Sequence, residues 1–471
     1  MYKKFFSFLF VLFASFLVPF LNAGNENIVL TIFQTTDIHG EEKNIPVIGT
    51  LLRQVRAQAP ENSVLAIDCG DITQGTFFAA YNKGSAMITA LNAFHYDIFV
   101  PGNHEFDFGI PVFIRNIEQF QGDVLAANLV LNLPCSKKIL PWKIYMRAGL
   151  KIAVIGAAPP YMSLWFTNNQ LQDIVFSDLD SMLAQTMPQV RAAKPDFVIL
   201  ALHAGEFSAG RLNANGKARH IGQIIKLYPE ISLVLGGHTH LSVPGKKLLR
   251  DTWYVQAPPH GTGAALIQCS FHPESHQLLD ISSEILSAEH IFPCDMPEKW
   301  NRAVESASKL GKKDFAFIPE GKSEEVSSLA YFVRAVSQFT DIPVCATGPY
   351  TSWKLLPGPV TRESLFRLIP FENHIVVLSL TNMELKQILN EQKQLKNKKD
   401  ALVFHGLDKV NSRGRTKVGF TSYTISGGGG RYPELKRIAE SGTVSRQELD
   451  ITIRQAVEWQ LAREYPLPSG K

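Results

Sequence analysis

Residues 28–40 read IVLTIFQTTDIHG: an apolar run that stops at Asp37-Ile38-His39, a carboxylate and an imidazole one residue apart. Four more stretches repeat the design. SVLAI (63–67) leads to Gly70-Asp71, and YDIFV (96–100) leads to Gly102-Asn103-His104-Glu105 and Asp107. DFVILAL (196–202) leads directly to His203, and ISLVLG (231–236) to Gly237-His238-Thr239-His240. Short runs rich in Val, Ile, Leu and Phe, bounded by Gly, Asp and Asn, read as strands. Ligand sites of open α/β sheets collect beyond the carboxyl ends of strands. Carboxylate, imidazole and amide groups bind divalent metals. One Asp-x-His is common in surface loops. Five strand ends that each deliver such groups predict an enclosed pair of metals. Residues two apart in extended chain point the same way, so Asp37 is expected beside His39 and His238 beside His240.

Between these strands the periodicity predicts helices over 47–57, 85–94, 111–120 (Pro111 at the start) and 178–193. VLAANLV (124–130) and KIAVIGAA (151–158) are further strand candidates, and 253–271 is β-rich with a turn at 258–263. The pattern predicts an α/β (α+β) chain whose sheets are covered by helices, with loops at one rim carrying the chemistry. At 471 residues two domains are expected. A catalytic domain is expected over 24–290, a connector with a polar helix (EKWNRAVESASKLGKK) over 291–313, a second domain over 314–465 and a tail over 466–471. The second domain is expected to hold helices over 326–338 and 383–394, a strand IVVLSL and a polar loop GLDKVNSRGRTK (406–417).

The start differs in character. Lys3 and Lys4 precede FFSFLFVLFASFLVPFL, and Leu21-Asn22-Ala23 ends on a small residue. This reads as a secretory signal cut after Ala23, which predicts a periplasmic or secreted protein. A retained membrane anchor is the alternative. Cleavage removes two lysines and no acids, so the net charge of +4 falls to +2. No basic stripe points to a nucleic acid polymer. Five scattered cysteines leave at least one without an intramolecular partner. Cys69, two residues before Asp71, is expected to be a small packed residue.

At these residues the chain resembles the metallophosphoesterases, and among them the two-domain 5′-nucleotidase family. Pro370-Phe371-Glu372-Asn373 resembles that family's Pro-Phe-x-Asn, and Gly427–Pro433 resembles its late glycine-rich segment. The resemblance implies an amino-terminal calcineurin-like β-sandwich flanked by helices, with a carboxy-terminal α/β substrate domain. It implies two divalent ions, Mn²⁺ or Zn²⁺, as cofactors. Asp37, His39 and His240 would hold one, Asn103, His203 and His238 the other, and Asp71 would bridge them. Such a pair clamps phosphoryl oxygens and lowers the pKa of a shared water. His104 would face the phosphate and Asp107 would orient it. Phe371 and Tyr423 would sandwich a base whose edge Asn373 touches.

The family's arginines are missing. Its Gly-Gly-x-Arg falls on Gly348–Ser352, and an upstream pair falls on Ser323 and Ser327. Gly429 stands where the late segment has Asp. Arg362, Arg367, Arg413, Arg415 and Arg431 are candidate substitutes, and His260 and His374 are candidates for the rim. The expected function is phosphate release from a small phosphate ester, first a 5′-nucleotide. Cyclic-nucleotide phosphodiesterase, sugar-nucleotide pyrophosphatase, thiohydrolase and a non-catalytic nucleotide binder are the alternatives.

Overall fold

The computed structural model describes residues 27–207, 220–249, 251–350 and 352–468; the leader and the end of the tail lie outside them. The strand Ile28–Thr35 is third in a seven-stranded sheet ordered 278–287, 263–271, 28–35, 64–68, 98–99, 123–125 and 139–140. A second sheet orders 243–249, 252–256, 231–235, 197–202, 150–157 and 142–147. Alternate residues explain the layering. Leu30, Ile32, Leu65 and Ile67 of the first sheet meet Ile152, Val154, Ile199 and Leu233 of the second in one apolar layer. Phe33 and Ala66 face the other way, against the helices Ile45–Gln58, Ser85–Ala93 and Ile110–Gln119. Helices Leu179–Ala192 and Ile221–Ile225 cover the outer face of the second sheet. The result is a four-layer sandwich, helices outside and sheets inside.

Strands 28–35, 64–68 and 98–99 are parallel, as are 150–157, 197–202, 231–235 and 252–256. Their carboxyl ends therefore open on one rim. The second domain has a five-stranded sheet ordered 403–405, 344–347, 415–421, 374–381 and 445–452. Helices Leu329–Thr340 and Ile453–Glu464 pack on one face, and Asn382–Gln394 and Pro433–Ala439 on the other. The two domains touch at the rim. Gln74 Nε2 donates to the Pro370 carbonyl (2.6 Å), and the Leu164 carbonyl accepts from Gly429 N–H and Ser426 Oγ, both at 3.1 Å.

Several elements depart from expectation. The 124–130 run is two short strands, 123–125 and 129–131. Asn128 breaks it: its side chain donates to the Ala158 carbonyl at 2.9 Å and accepts from Ala158 N–H at 2.9 Å. The helix expected at 326–338 is split into 323–326 and 329–340, because Ser328 caps the second piece through Tyr331 N–H. The polar loop gives way at Arg415 to the strand 415–421, where Thr416, Val418 and Phe420 alternate inward. The polar helix, 298–311, is no loose tether. Trp300 is buried with its ring 5.0 Å from Phe78, and Ala307 joins the same core. All five cysteines are free, and Cys69 is buried, its thiol pushed up by burial.

Candidate active site

Each strand end turns sharply as it reaches the rim. Asp37, His39, Asp71, His238 and His240 have φ of 52°, 52°, 56°, 72° and 55°. The expectation of extended pairs is therefore wrong for Asp37–His39 and His238–His240: all four residues are left-handed. Such conformations cost roughly 1–3 kcal/mol each for non-glycine residues and persist only when neighbours enforce them. Here the loops brace one another. Asp37 N–H donates to the Gly70 carbonyl (2.8 Å), His39 N–H to the Asp71 carbonyl (2.9 Å), and His238 N–H to both Asp37 oxygens (3.0 and 2.9 Å). A side chain on Gly102 would meet Asp71 Oδ1 at 2.2 Å, so glycine is needed there for the loops to approach.

The sequence-predicted donors converge in two sets. Potential ligand atoms of Asp37, His39 and His240 lie within 4.8 Å of one another, and so do those of Asp71, His203 and His238. Asp71 also groups with His39 and His104. Only His240 of the two main sets is exposed. Imidazole orientation is held from behind. His203 Nδ1–H donates to the Cys69 carbonyl (2.6 Å) and His39 Nδ1–H to the Gln74 carbonyl (3.2 Å), leaving each Nε2 facing the site. His39 Nε2 and His240 Nε2 lie 2.8 Å apart. Among the described residues Asn103 Oδ1 is buried without a hydrogen-bond partner, and His203 Nε2 faces Asp71 Oδ2 at 3.0 Å. An orphaned buried amide oxygen beside imidazoles and carboxylates is the donor chemistry of a divalent cation site, so these residues fit the metals the sequence implies.

His104 Nδ1 is 2.8 Å from Asp107 Oδ2. Burial disfavours its charged form, but Asp107, Asp71 and Glu105 outweigh this and raise its pKa to about 9. His238 goes the other way: burial and the neighbouring His203 lower it to about 3. His104 stacks on Phe371 of the second domain, centroids 6.1 Å apart and planes at 17°. Asn103, His104, Asp107 and His238 line one wall of a cleft of about 510 Å³; Phe371, Asn373 and Tyr423 line the other. All three proposed substrate contacts thus face the candidate chemistry.

Residues 30–242 match the family described as calcineurin-like phosphoesterase, and residues 319–417 match the 5′-nucleotidase C-terminal domain. A 5′-nucleotidase of Vibrio parahaemolyticus is 22% identical over 86% of this chain and 85% of its own length. The chain belongs to the two-domain 5′-nucleotidase family of metallophosphoesterases. A Haemophilus influenzae 2′,3′-cyclic-nucleotide 2′-phosphodiesterase/3′-nucleotidase is 26% identical over 48% of this chain and 38% of its own. The chain spans about half or less of the length of several curated relatives it matches. A candidate 5′-nucleotidase from Staphylococcus aureus, crystallised with α-ketoglutarate, superposes with a TM-score of 0.77 at 17% identity, covering 93% of this chain and 98% of that one. That likeness concerns the fold.

Within this metallophosphoesterase, three residues outside the predicted set, and the rim candidate His260, shape the site. Glu105 is buried, and its carboxylate accepts from the N–H groups of Asp71 (2.8 Å), Gly102 (2.6 Å), Ile72 (2.9 Å) and Thr73 (3.1 Å). It ties the Asp71 turn to the His104 turn. Glu105→Gln leaves one oxygen for four donors and aims an amide N–H₂ at them. Unsatisfied buried groups cost about 1–3 kcal/mol each, so a loss of roughly 2–4 kcal/mol is expected. Urea unfolding in EDTA reads it apart from metal binding; an unchanged midpoint would refute the clamp. Trp165 lies 5.0 Å from the His238 ring, in an irregular segment with no periodic signal. Arg454 holds the Phe371 loop, donating to the Ile369 (2.8 Å) and Phe371 (3.1 Å) carbonyls and pairing with Glu372 (2.6 Å). His260 reaches the rim: its ring centroid is 5.5 Å from His39 and 5.4 Å from His240.

His374 does not reach the cleft; its Nδ1 faces the Leu449 carbonyl at 3.4 Å. Of the five candidate arginines only Arg431 lines the cleft. Arg362 pairs with Glu458, Arg367 with Glu363 and Arg415 with Glu384.

Proposed function

We propose that the protein is an exported, two-metal phosphohydrolase that releases phosphate from nucleotides, first among them 5′-nucleotides. One observation carries this: a single cleft is lined by metal-site residues and His104–Asp107 on one wall and by Phe371, Asn373 and Tyr423 on the other. Asp37, His39 and His240 would hold one ion, and Asn103, His203 and His238 the other, with Asp71 between. Bound ions of this kind, Mn²⁺ or Zn²⁺, neutralise phosphoryl oxygens and activate water. The rest belongs to the chain. Asp107 keeps the His104 ring oriented and cationic, so His104 can stabilise phosphoryl charge or give a proton to the leaving oxygen. Phe371 and Tyr423 offer flat faces to a base, and Asn373 a polar edge. Export rests on the apolar leader with its two lysines; among the described residues no helix is long and apolar enough to cross a membrane.

The test is phosphate release from an aryl phosphate, AMP, ADP, ATP, cyclic nucleotides and a UDP-sugar by the Mn²⁺-loaded protein. Absence of turnover on all of them would leave a nucleotide binder. Phe371→Ala and Tyr423→Ala are expected to raise KM for AMP by about 1–3 kcal/mol per ring and to spare a base-free ester. Kinetics of both variants indistinguishable from wild type on every substrate would remove base recognition from the second domain.

A further inference from the structure

The second-domain wall of the cleft carries a charge pattern that base stacking does not use. Three carboxylates line the cleft, and each is committed: Asp107 to His104, Glu372 to Arg454 and Asp400 to Arg431. Two cations line the same cleft, Arg431 and Lys399. The Arg431 guanidinium donates through Nε to the Gly428 carbonyl (2.7 Å), through Nη1 to Asp400 (3.3 Å) and through Nη2 to the Tyr423 hydroxyl (2.8 Å). A guanidinium has five N–H groups, so one N–H on each terminal nitrogen is left over. Tyr423 accepts from Arg431, and its own O–H has no acceptor among the described residues. Lys399 is exposed, and its ammonium makes no ion pair among the described residues. Two N–H donors, an O–H donor and an ammonium against one neutralised carboxylate make an anion-receptive surface.

We infer that Arg431, Lys399 and the Tyr423 hydroxyl form an anion subsite for the leaving group, so that substrates with a second anionic group besides the scissile phosphate are preferred. This rests on the proposed phosphohydrolase reading. The second group is a phosphate or a carboxylate; both accept in-plane N–H donors.

Matched pairs test the subsite. Adenosine 3′,5′-bisphosphate against AMP reads a second phosphate; orotidine 5′-monophosphate against UMP reads a carboxylate on the base. The expected kcat/KM ratio favours the doubly anionic member of at least one pair by about 10-fold or more, the scale of one charge-assisted bond. Lys399→Ala and Arg431→Gln are each expected to lower that ratio several-fold, and the double variant to bring it near one. Calorimetric binding of the same pairs in EDTA reads the subsite without turnover. Equal handling of both members of both pairs by wild type, or a ratio that survives in the double variant, overturns the inference. Failure to hydrolyse any ester while binding still discriminates the pairs would overturn the phosphohydrolase reading and keep the subsite.

Discussion

Asp71→Asn is expected to lose at least one of two bound metals and to lower turnover by at least roughly 10²–10³-fold, the loss seen when a preorganised electrostatic group is removed. The geometry makes this a clean substitution. Asp71 sits at φ 56°, and asparagine tolerates that region as well as aspartate does. Oδ1 accepts His104 N–H at 2.8 Å, which an amide oxygen can also do. The backbone brace between residues 39 and 71 does not involve the side chain. What changes is the charge. Asp71 is buried, and against that burial His203 and His104 hold its carboxyl well below the usual range. Oδ2 lies 3.0 Å from His203 Nε2, and the residue belongs to two of the three convergent groups. Replacing that oxygen by N–H₂ presents a donor to a cation. Metal content after dialysis and steady-state kinetics are the measurements. Two tightly held ions and a normal rate in the variant would remove Asp71 from the bridging position.

His104→Ala is expected to keep both ions and to lower kcat by about 10²–10⁴-fold, the range for a positioned acid–base group. The two parts of this expectation separate chemistry from coordination. His104 stands with His39 and Asp71 in a convergent group, so proximity alone allows it to be a ligand. Its Nδ1 is held by Asp107, its charged form is favoured up to about pH 9, and its ring lies against Phe371. With Nδ1 engaged by Asp107 and the ring turned onto Phe371 across the cleft, the phosphate-facing role is the one proposed for it. Asp107→Asn should give a smaller loss, because it removes the orienting charge and spares the imidazole. Metal analysis decides: loss of an ion from His104→Ala would make the residue a ligand.

Much of this protein is legible along the chain because its chemistry is local to strand ends. Every predicted ligand follows an apolar run by a few residues, and all of them gather on one rim. The strands themselves were readable from β-branched runs. The departures have two causes. Asn128 breaks a strand through its bonds to Ala158 in another strand's turn, a distant contact, whereas Ser328 starts a new helix by a local cap on Tyr331. Trp165 and Arg454 carry no periodic or spacing signal, since their partners lie 73 and more than 80 positions away. Glu105 stands inside a recognised run of residues, but its four N–H donors appear only once the loops meet.

The amino-acid sequence by itself determined the layered α/β class, the order of the ligand-bearing turns and the residue types that fit a metal pair. Hydrophobic periodicity and donor chemistry are properties of short segments, and short segments can be read. Tertiary structure decided the left-handed backbone at five candidate ligands, the pairing of His104 with Phe371 across the domains, and which of five arginines faces the cleft. These depend on bracing between loops far apart in sequence and on how two separately packed domains meet. Arg431 shows the difference: in the chain it is one arginine among several after a glycine run, and in the fold Tyr423, Asp400 and the Gly428 carbonyl hold it against the cleft.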